Sequence, residues 1–251
     1  MLAGCLTIGN ASAPAPAARR TLSPAVAPAV APTVATPPAS PAQAAAAVIA
    51  TTMEIRLDDR AAGHDAGVSE ALANALANVT ITEFLPAQGT AVPPILGSRV
   101  EGTRTITEYA RNTYRQLIRT AEHGKPLLAV GGTDPGWYVV HSYSSTAGFD
   151  PEQPRKGQRS CVVPGLALAP GVRPVELKPG EAAYFGHFVI TIRVGPGKGA
   201  GAPAELAVAD ARIEAAPAGL EGLLRGAGLD PARVRRLPAD GFPCPWTVPR
   251  A

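Results

Sequence analysis

Between residues 11 and 46 the chain is written almost wholly in Ala, Pro, Ser, Thr and Val, with Arg19 and Arg20 its only charges. Pro14, Pro16, Pro24, Pro28, Pro32, Pro37, Pro38 and Pro41 each remove a backbone donor and fix φ. That blocks helix and sheet and favours extended polyproline II. Beyond Leu22 the tract holds no aromatic or large aliphatic side chain, so ordering it would bury too little apolar surface to offset the chain entropy lost. Composition therefore predicts a disordered Pro/Ala-rich tether over residues 6–46 and one folded domain over 47–251. A domain of that size builds its own core without metals or many disulfides.

Charge narrows the partners. The chain carries 23 basic and 20 acidic residues, and setting aside Arg19 and Arg20 leaves 21 against 20 in the domain. A nearly neutral domain lacks the electrostatic footprint of a nucleic-acid binder, so nucleic acid is not expected as a partner.

Past the tether, hydrophobic spacing alternates between strand and turn signals. Ile49–Asp58 places Met53, Ile55 and Leu57 at alternate positions with Glu54 and Arg56 between, the period of a half-buried strand. Val68–Asn78, with Leu72 and Leu76 four apart, predicts a short helix, and Val79–Leu85 a strand. Arg99–Tyr109 alternates again, whereas Arg111–Glu122 fits either a helix face or an extended segment. Pro126–Val130 reads as a strand, Gly131–Gly136 as a turn, and Trp137–Tyr143 as a strand with Trp137, Val139, His141 and Tyr143 on one face. Val172–Leu177 is another strand. The Lys178-Pro179-Gly180 turn then leads into Ala182–Val194, with Tyr184, Gly186, Phe188, Ile190 and Ile192 inward and His187 outward toward solvent or a partner. Gly186 is expected where a cross-strand neighbour leaves no room for a side chain. Two short helices close the chain, one from Pro217 through Leu224 and one from Asp230-Pro231 through Leu237. The fold expected is mainly β: a β-sandwich with a few short peripheral or C-terminal helices.

Leu2-Ala3-Gly4-Cys5 resembles the lipobox of bacterial lipoproteins, in which an aliphatic residue and two small ones precede a cysteine. The resemblance implies that residues 1–5 are the remnant of a lipoprotein signal, that Cys5 carries the lipid, palmitate included, and that the membrane is a partner through it. More than one acyl chain makes such an anchor durable. Leu6 is not the acidic residue associated with inner-membrane retention, so the implied address is the outer membrane, facing the periplasm. Three further motifs, Asp134-Pro-Gly-Trp-Tyr-Val-Val, Val175-Glu-Leu-Lys-Pro-Gly-Glu and Ala183-Tyr-Phe-Gly-His-Phe-Val-Ile, resemble a pattern in uncharacterised proteobacterial envelope lipoproteins. Their domains look similar to transthyretin-like or carboxypeptidase-regulatory-like sandwiches. That likeness spans about Lys125–Val194 and implies a fold and an address but no activity.

Few side chains fall in patterns that carry chemistry. His64, His123, His141 and His187 fall at no metal-ligand spacing, and no Cys-x-x-Cys pair occurs. No nucleophile elbow is present, and the glycine-rich run at 195–201 carries Pro196 where a phosphate cradle needs a donor. Nothing demands a metal or a cofactor, and no catalytic residue is assigned. Cys161 and Cys244 are candidates for a disulfide that would close a loop of about 84 residues, the alternative being two separate buried thiols. Trp137, His141 and Tyr143 are the candidate pocket or partner surface. The expected role is therefore a non-enzymatic binding or structural module tethered in the cell envelope, with an envelope protein or peptidoglycan as its partner. The alternative is an envelope hydrolase or carbohydrate-acting enzyme with a pocket near His141.

Overall fold

The computed structural model describes residues 46–58, 76–101, 104–119, 122–145, 158–195 and 205–246. The tether, the lipobox with Cys5, His64, most of the helix expected over Val68–Asn78 and the glycine-rich run after Gly195 lie outside the described residues.

The chain is mainly β. Its first sheet is centred on β1 (Ala47–Asp58), which runs antiparallel to β7 (Leu127–Thr133) on one side and parallel to β11 (Ala182–Gly195) on the other. The far edge of β11 is shared between β13 (Val234–Arg236) at its start and β12 (Glu205–Glu214) along the rest. The second sheet is centred on β2 (Leu76–Leu85) and β8 (Gly136–Ser145), paired antiparallel. β6 (Thr113–Arg119) and β3 (Thr90–Ala91) flank β2, while β9 (Arg159–Ser160) and β10 (Val175–Leu177) flank β8. Ile49, Met53, Ile55, Phe188, Ile190 and Ile192 of one sheet and Ala77, Val79, Ile81, Val140 and Tyr143 of the other form one buried cluster, a sandwich core.

β1 shows how covering sets the burial pattern. From Ile49 to Met53 every residue is buried, because the inner row meets the second sheet and Ala50 on the outer row packs with Tyr184, Leu220, Leu224 and Val234. Leu220 and Leu224 belong to α1 (Leu220–Gly226), the one α-helix among the described residues, which lies over that outer face. Past Met53 the cover ends and strict alternation returns, with Ile55 inward and Glu54 and Arg56 outward.

Several expected elements are redrawn. Leu76–Asn78, assigned to the end of a helix, is extended and pairs with β6 and β8. Arg99–Tyr109 is two strands rather than one: β4 (Ile95–Glu101) and β5 (Arg104–Tyr109) form a hairpin of their own. Arg111–Glu122 takes the extended alternative as β6. Gly131 and Gly132 belong to β7 rather than to the turn. A Cβ on Gly131 would stand 2.8 Å from the Tyr114 ring, so the glycine makes room for a side chain crossing from β6. Asp230–Leu237 forms a turn and β13 in place of the second helix.

The largest correction is on β11. Ala50 of β1 pairs with Tyr184, but Thr52 pairs with His187, so β11 carries an extra residue between them. Gly186 sits in this bulge at φ 134°, and a Cβ there would lie 2.9 Å from Ile213 Cγ2 of β12. The bulge switches the face. Phe185, expected outward, enters the core and stacks on Phe242, whereas Tyr184, expected inward, packs under α1. Phe188, Ile190 and Ile192 are inward as expected.

Candidate functional site

Among the described residues, a groove beside His141 and a relay on the outer face of the first sheet each gather polar side chains. The groove begins with a bulge in β8. Thr80 of β2 pairs with Ser142 and Ile81 with Val140, which leaves His141 without an opposite residue. His141 still uses its backbone: its carbonyl accepts from Cys161 N at 3.0 Å and so holds the loop that leads to Pro164. Cys161 and Cys244 are joined by a disulfide, and Ser160 N donates to Pro245 O at 3.0 Å, so the C-terminal segment is fastened to the same loop. The resulting groove of about 490 Å³ is walled by Val162, Pro164, Leu166, Pro245 and Trp246, with His141, Gln158 and Ser160 as its polar lining. The guanidinium of Arg159 lies 4.0 Å from the Trp246 ring centroid and donates to Ala211 O, which anchors the indole from behind.

The bulge also separates the three residues expected to share this site. His141 lines the groove. Tyr143 turns into the core, edge-on to Phe188 with ring centroids 5.2 Å apart, and burial pushes its phenol up to about 12. Trp137, 37 % exposed, stands opposite Phe84 and Glu176 near the start of β8 and does not line the groove. One extra residue in β8 exchanges its faces, which a period-2 reading cannot anticipate.

The groove offers little acid–base chemistry. His141 Nδ1 is 3.4 Å from Ser142 Oγ, and that serine is buried. Ser160 donates its hydroxyl to Val162 O at 2.6 Å, so it is committed to holding the loop. No carboxylate is among the described residues that line the groove.

The relay was not anticipated. His187, expected to face solvent or a partner, is only 2 % exposed. Its Nδ1 lies 3.0 Å from Thr52 Oγ1 and its Nε2 3.1 Å from Glu54 Oε2, while Thr52 also bonds the Tyr184 hydroxyl. Hydrogen bonding to the Arg56 guanidinium holds Glu54 below the usual carboxylate range, so Glu54 accepts and His187 Nε2–H donates. Burial lowers the His187 pKa despite Glu54, so the ring is neutral and its Nδ1 accepts from Thr52. Thr52 then accepts from Tyr184, whose phenol burial raises to about 12. Arg56 continues the chain, forking to both oxygens of Glu54 and both of Glu214, and Arg212 pairs with Glu214 at 2.6 Å. The order Thr–His–Glu resembles a nucleophile, base and orienting acid, but Thr52 is fully buried and no substrate reaches it. The outward positions of Glu54 and Arg56 were visible in the sequence, and Thr52 continues their row. His187 is on the outward face that alternation gives it, but its burial was not visible, because the bulge at Gly186 brings Tyr184 onto the same face beside it.

No protein family, no curated protein and no solved structure matches the chain. Among the described residues no group of His, Cys, Asp and Glu could hold a metal ion, and no helix is long and apolar enough to cross a membrane.

Proposed function

We propose that the chain is a periplasm-facing lipoprotein of the bacterial envelope whose sandwich domain binds a partner rather than transforming one. The observation that carries the binding role is the composition of the His141 groove. Aromatic, proline and aliphatic walls with an imidazole, an amide and a hydroxyl suit retention of an extended ligand with apolar faces and polar edges, such as a glycan strand. Hydrolysis of a glycosidic bond generally draws on a pair of carboxylates, and none lines the groove among the described residues. The Cys161–Cys244 disulfide supports an oxidising compartment, where such bonds persist. The lipobox at residues 2–5 supplies the anchor in this reading.

Peptidoglycan is the test ligand. Purified sacculi incubated with the protein should pellet it, and Trp246→Ala and His141→Ala should each reduce the pelleted fraction while thermal unfolding stays cooperative. Unchanged pelleting by both variants would remove the groove from the reading. Release of soluble muropeptides by the wild type would favour the hydrolase instead.

A further inference from the structure

The β4–β5 hairpin stands outside both sheets of the sandwich as a two-stranded sheet of its own. Its strands run Ile95–Glu101 and Arg104–Tyr109, long for an edge and free of proline. Every residue of β4 is exposed, Val100 to 73 % and Ile95 to 50 %. An isolated hairpin is marginal in water, and a bare edge of this length is a template for pairing with another strand. Among the described residues no strand pairs with the outer edge of β5.

That edge is symmetric in chemistry. Arg104-Thr105-Ile106-Thr107-Glu108 has an isoleucine at its centre, threonine on each side and opposite charges at its ends. Laid antiparallel on itself about Ile106, it sets isoleucine opposite isoleucine and threonine opposite threonine. Arg104 of each copy then stands opposite Glu108 of the other, so the charge match occurs twice. Glu108 is exposed and makes no ion pair among the described residues. The outer edge of β4 offers only a shorter match. About Val100 it would set Arg99 opposite Glu101, but those two already engage each other at 2.8 Å, and that register leaves Ile95–Gly97 without a facing strand residue.

We propose that β5 is a self-complementary edge through which two copies of this chain join their hairpins into one four-stranded antiparallel sheet. The interface is isologous, because a two-fold axis at Ile106 relates every contact to its mirror contact. In the hairpin register Ile95 opposes Tyr109, Ser98 opposes Thr107 and Val100 opposes Thr105, so one face has no charged residue of the hairpin itself, and the Arg115 guanidinium of β6 lies 4.7 Å from the Tyr109 ring centroid at its end. Joining two hairpins about an axis normal to the sheet doubles that face and keeps both halves on the same side. Opposite-charge cross-strand pairs add modestly to such a sheet, and like charges in the same places oppose it. The charges therefore set register and partner choice, while the strand edge supplies the hydrogen bonds. Neither the lipid anchor nor the groove enters this inference.

The experiment uses the full chain carrying Cys5→Ser, which removes both acylation and disulfide exchange at that cysteine, and reads mass by sedimentation equilibrium. The parent should sediment as two chains. Arg104→Glu alone and Glu108→Arg alone should each weaken self-association roughly tenfold or more, since each places two like-charge pairs in the interface. Mixed in equal amounts, the two single variants should recover a dimer, because one chain then offers two acidic ends and the other two basic ends. The double variant Arg104→Glu/Glu108→Arg should pair with itself. Recovery on mixing separates a broken interface from a misfolded chain. A parent of one-chain mass, a dimer indifferent to the single variants, or no recovery on mixing would each overturn the proposal.

Discussion

At the scale of single residues, the bulges of β11 and β8 decide which side chains matter. Phe188 is fully buried and meets Tyr143 edge-on, so Phe188→Ala should cost about 3–5 kcal/mol in urea melts. Thr191 lies on the opposite row and is itself only half-buried, so Thr191→Ala should cost about 1 kcal/mol or less. Equal losses would mean that the outer row is packed as tightly as the inner. His187 gives a second, pH-dependent prediction. Burial holds its folded pKa below the unfolded value of about 6.5, so between the two the unfolded chain binds more protons. Stability should therefore be constant above pH about 7, fall as pH drops through about 6.5 toward the folded pKa, and level off below it. A further decline belongs to Glu54 and Glu214, whose folded pKa values are also lowered, the larger favourable cause in each being the bond to Arg56. His187→Gln should remove the first decline and leave the second, as read from urea midpoints across the pH range. A His187→Gln chain with the wild-type profile near pH 6 would place the first decline elsewhere.

Among the elements, strands were legible where one face is buried and the backbone is regular, as in Met53-Glu54-Ile55-Arg56 and in Phe188–Ile192. They were illegible where an extra residue shifts the register, because alternation carries no mark of a bulge until the partner strand is known. Gly186 was legible as a close approach, and Ile213 is the neighbour that makes it one. Gly131-Gly132 read as a turn because glycine signals turns locally, whereas here its cause is the Tyr114 ring on another strand. The groove was legible only through His141. Its walls come from 158–166 and from Pro245 and Trp246, which the disulfide brings together across 83 residues of sequence. That bond yields the prediction for this scale. Replacing Cys161 and Cys244 by Ser should cost about 4–5 kcal/mol if chain entropy dominates. Because the bond also fixes the groove, sacculus binding should fall even at temperatures where the variant stays folded. Retained binding with reduced stability would show that Ser160 N to Pro245 O and the Arg159–Trp246 contact hold the groove unaided.

For the whole molecule, the question is how a folded unit that begins at its own central strand relates to what precedes it. β1 starts at Ala47, and its first backbone bonds, Val48 N to Glu181 O and Gly180 N to Ala46 O, close within the domain. A chain beginning at Ala46 should therefore melt with the same cooperativity as the full chain, since the Pro/Ala tract is expected to contribute no packed surface. In the proposed lipoprotein reading the tract would bear on position instead: about 40 residues at the polyproline II rise would span at most about 120 Å from a lipidated Cys5. The anchor itself is the sharper test. Produced in bacteria behind a lipoprotein leader, the chain should incorporate labelled palmitate and partition into the detergent phase, and Cys5→Ser should abolish both. One acyl chain binds a membrane only marginally, so the amount of label per chain also matters: two or more acyl groups should accompany stable partitioning. If the Cys5→Ser chain still entered the detergent phase, the exposed β4–β5 hairpin would become the candidate membrane contact, and the lipobox reading would fall.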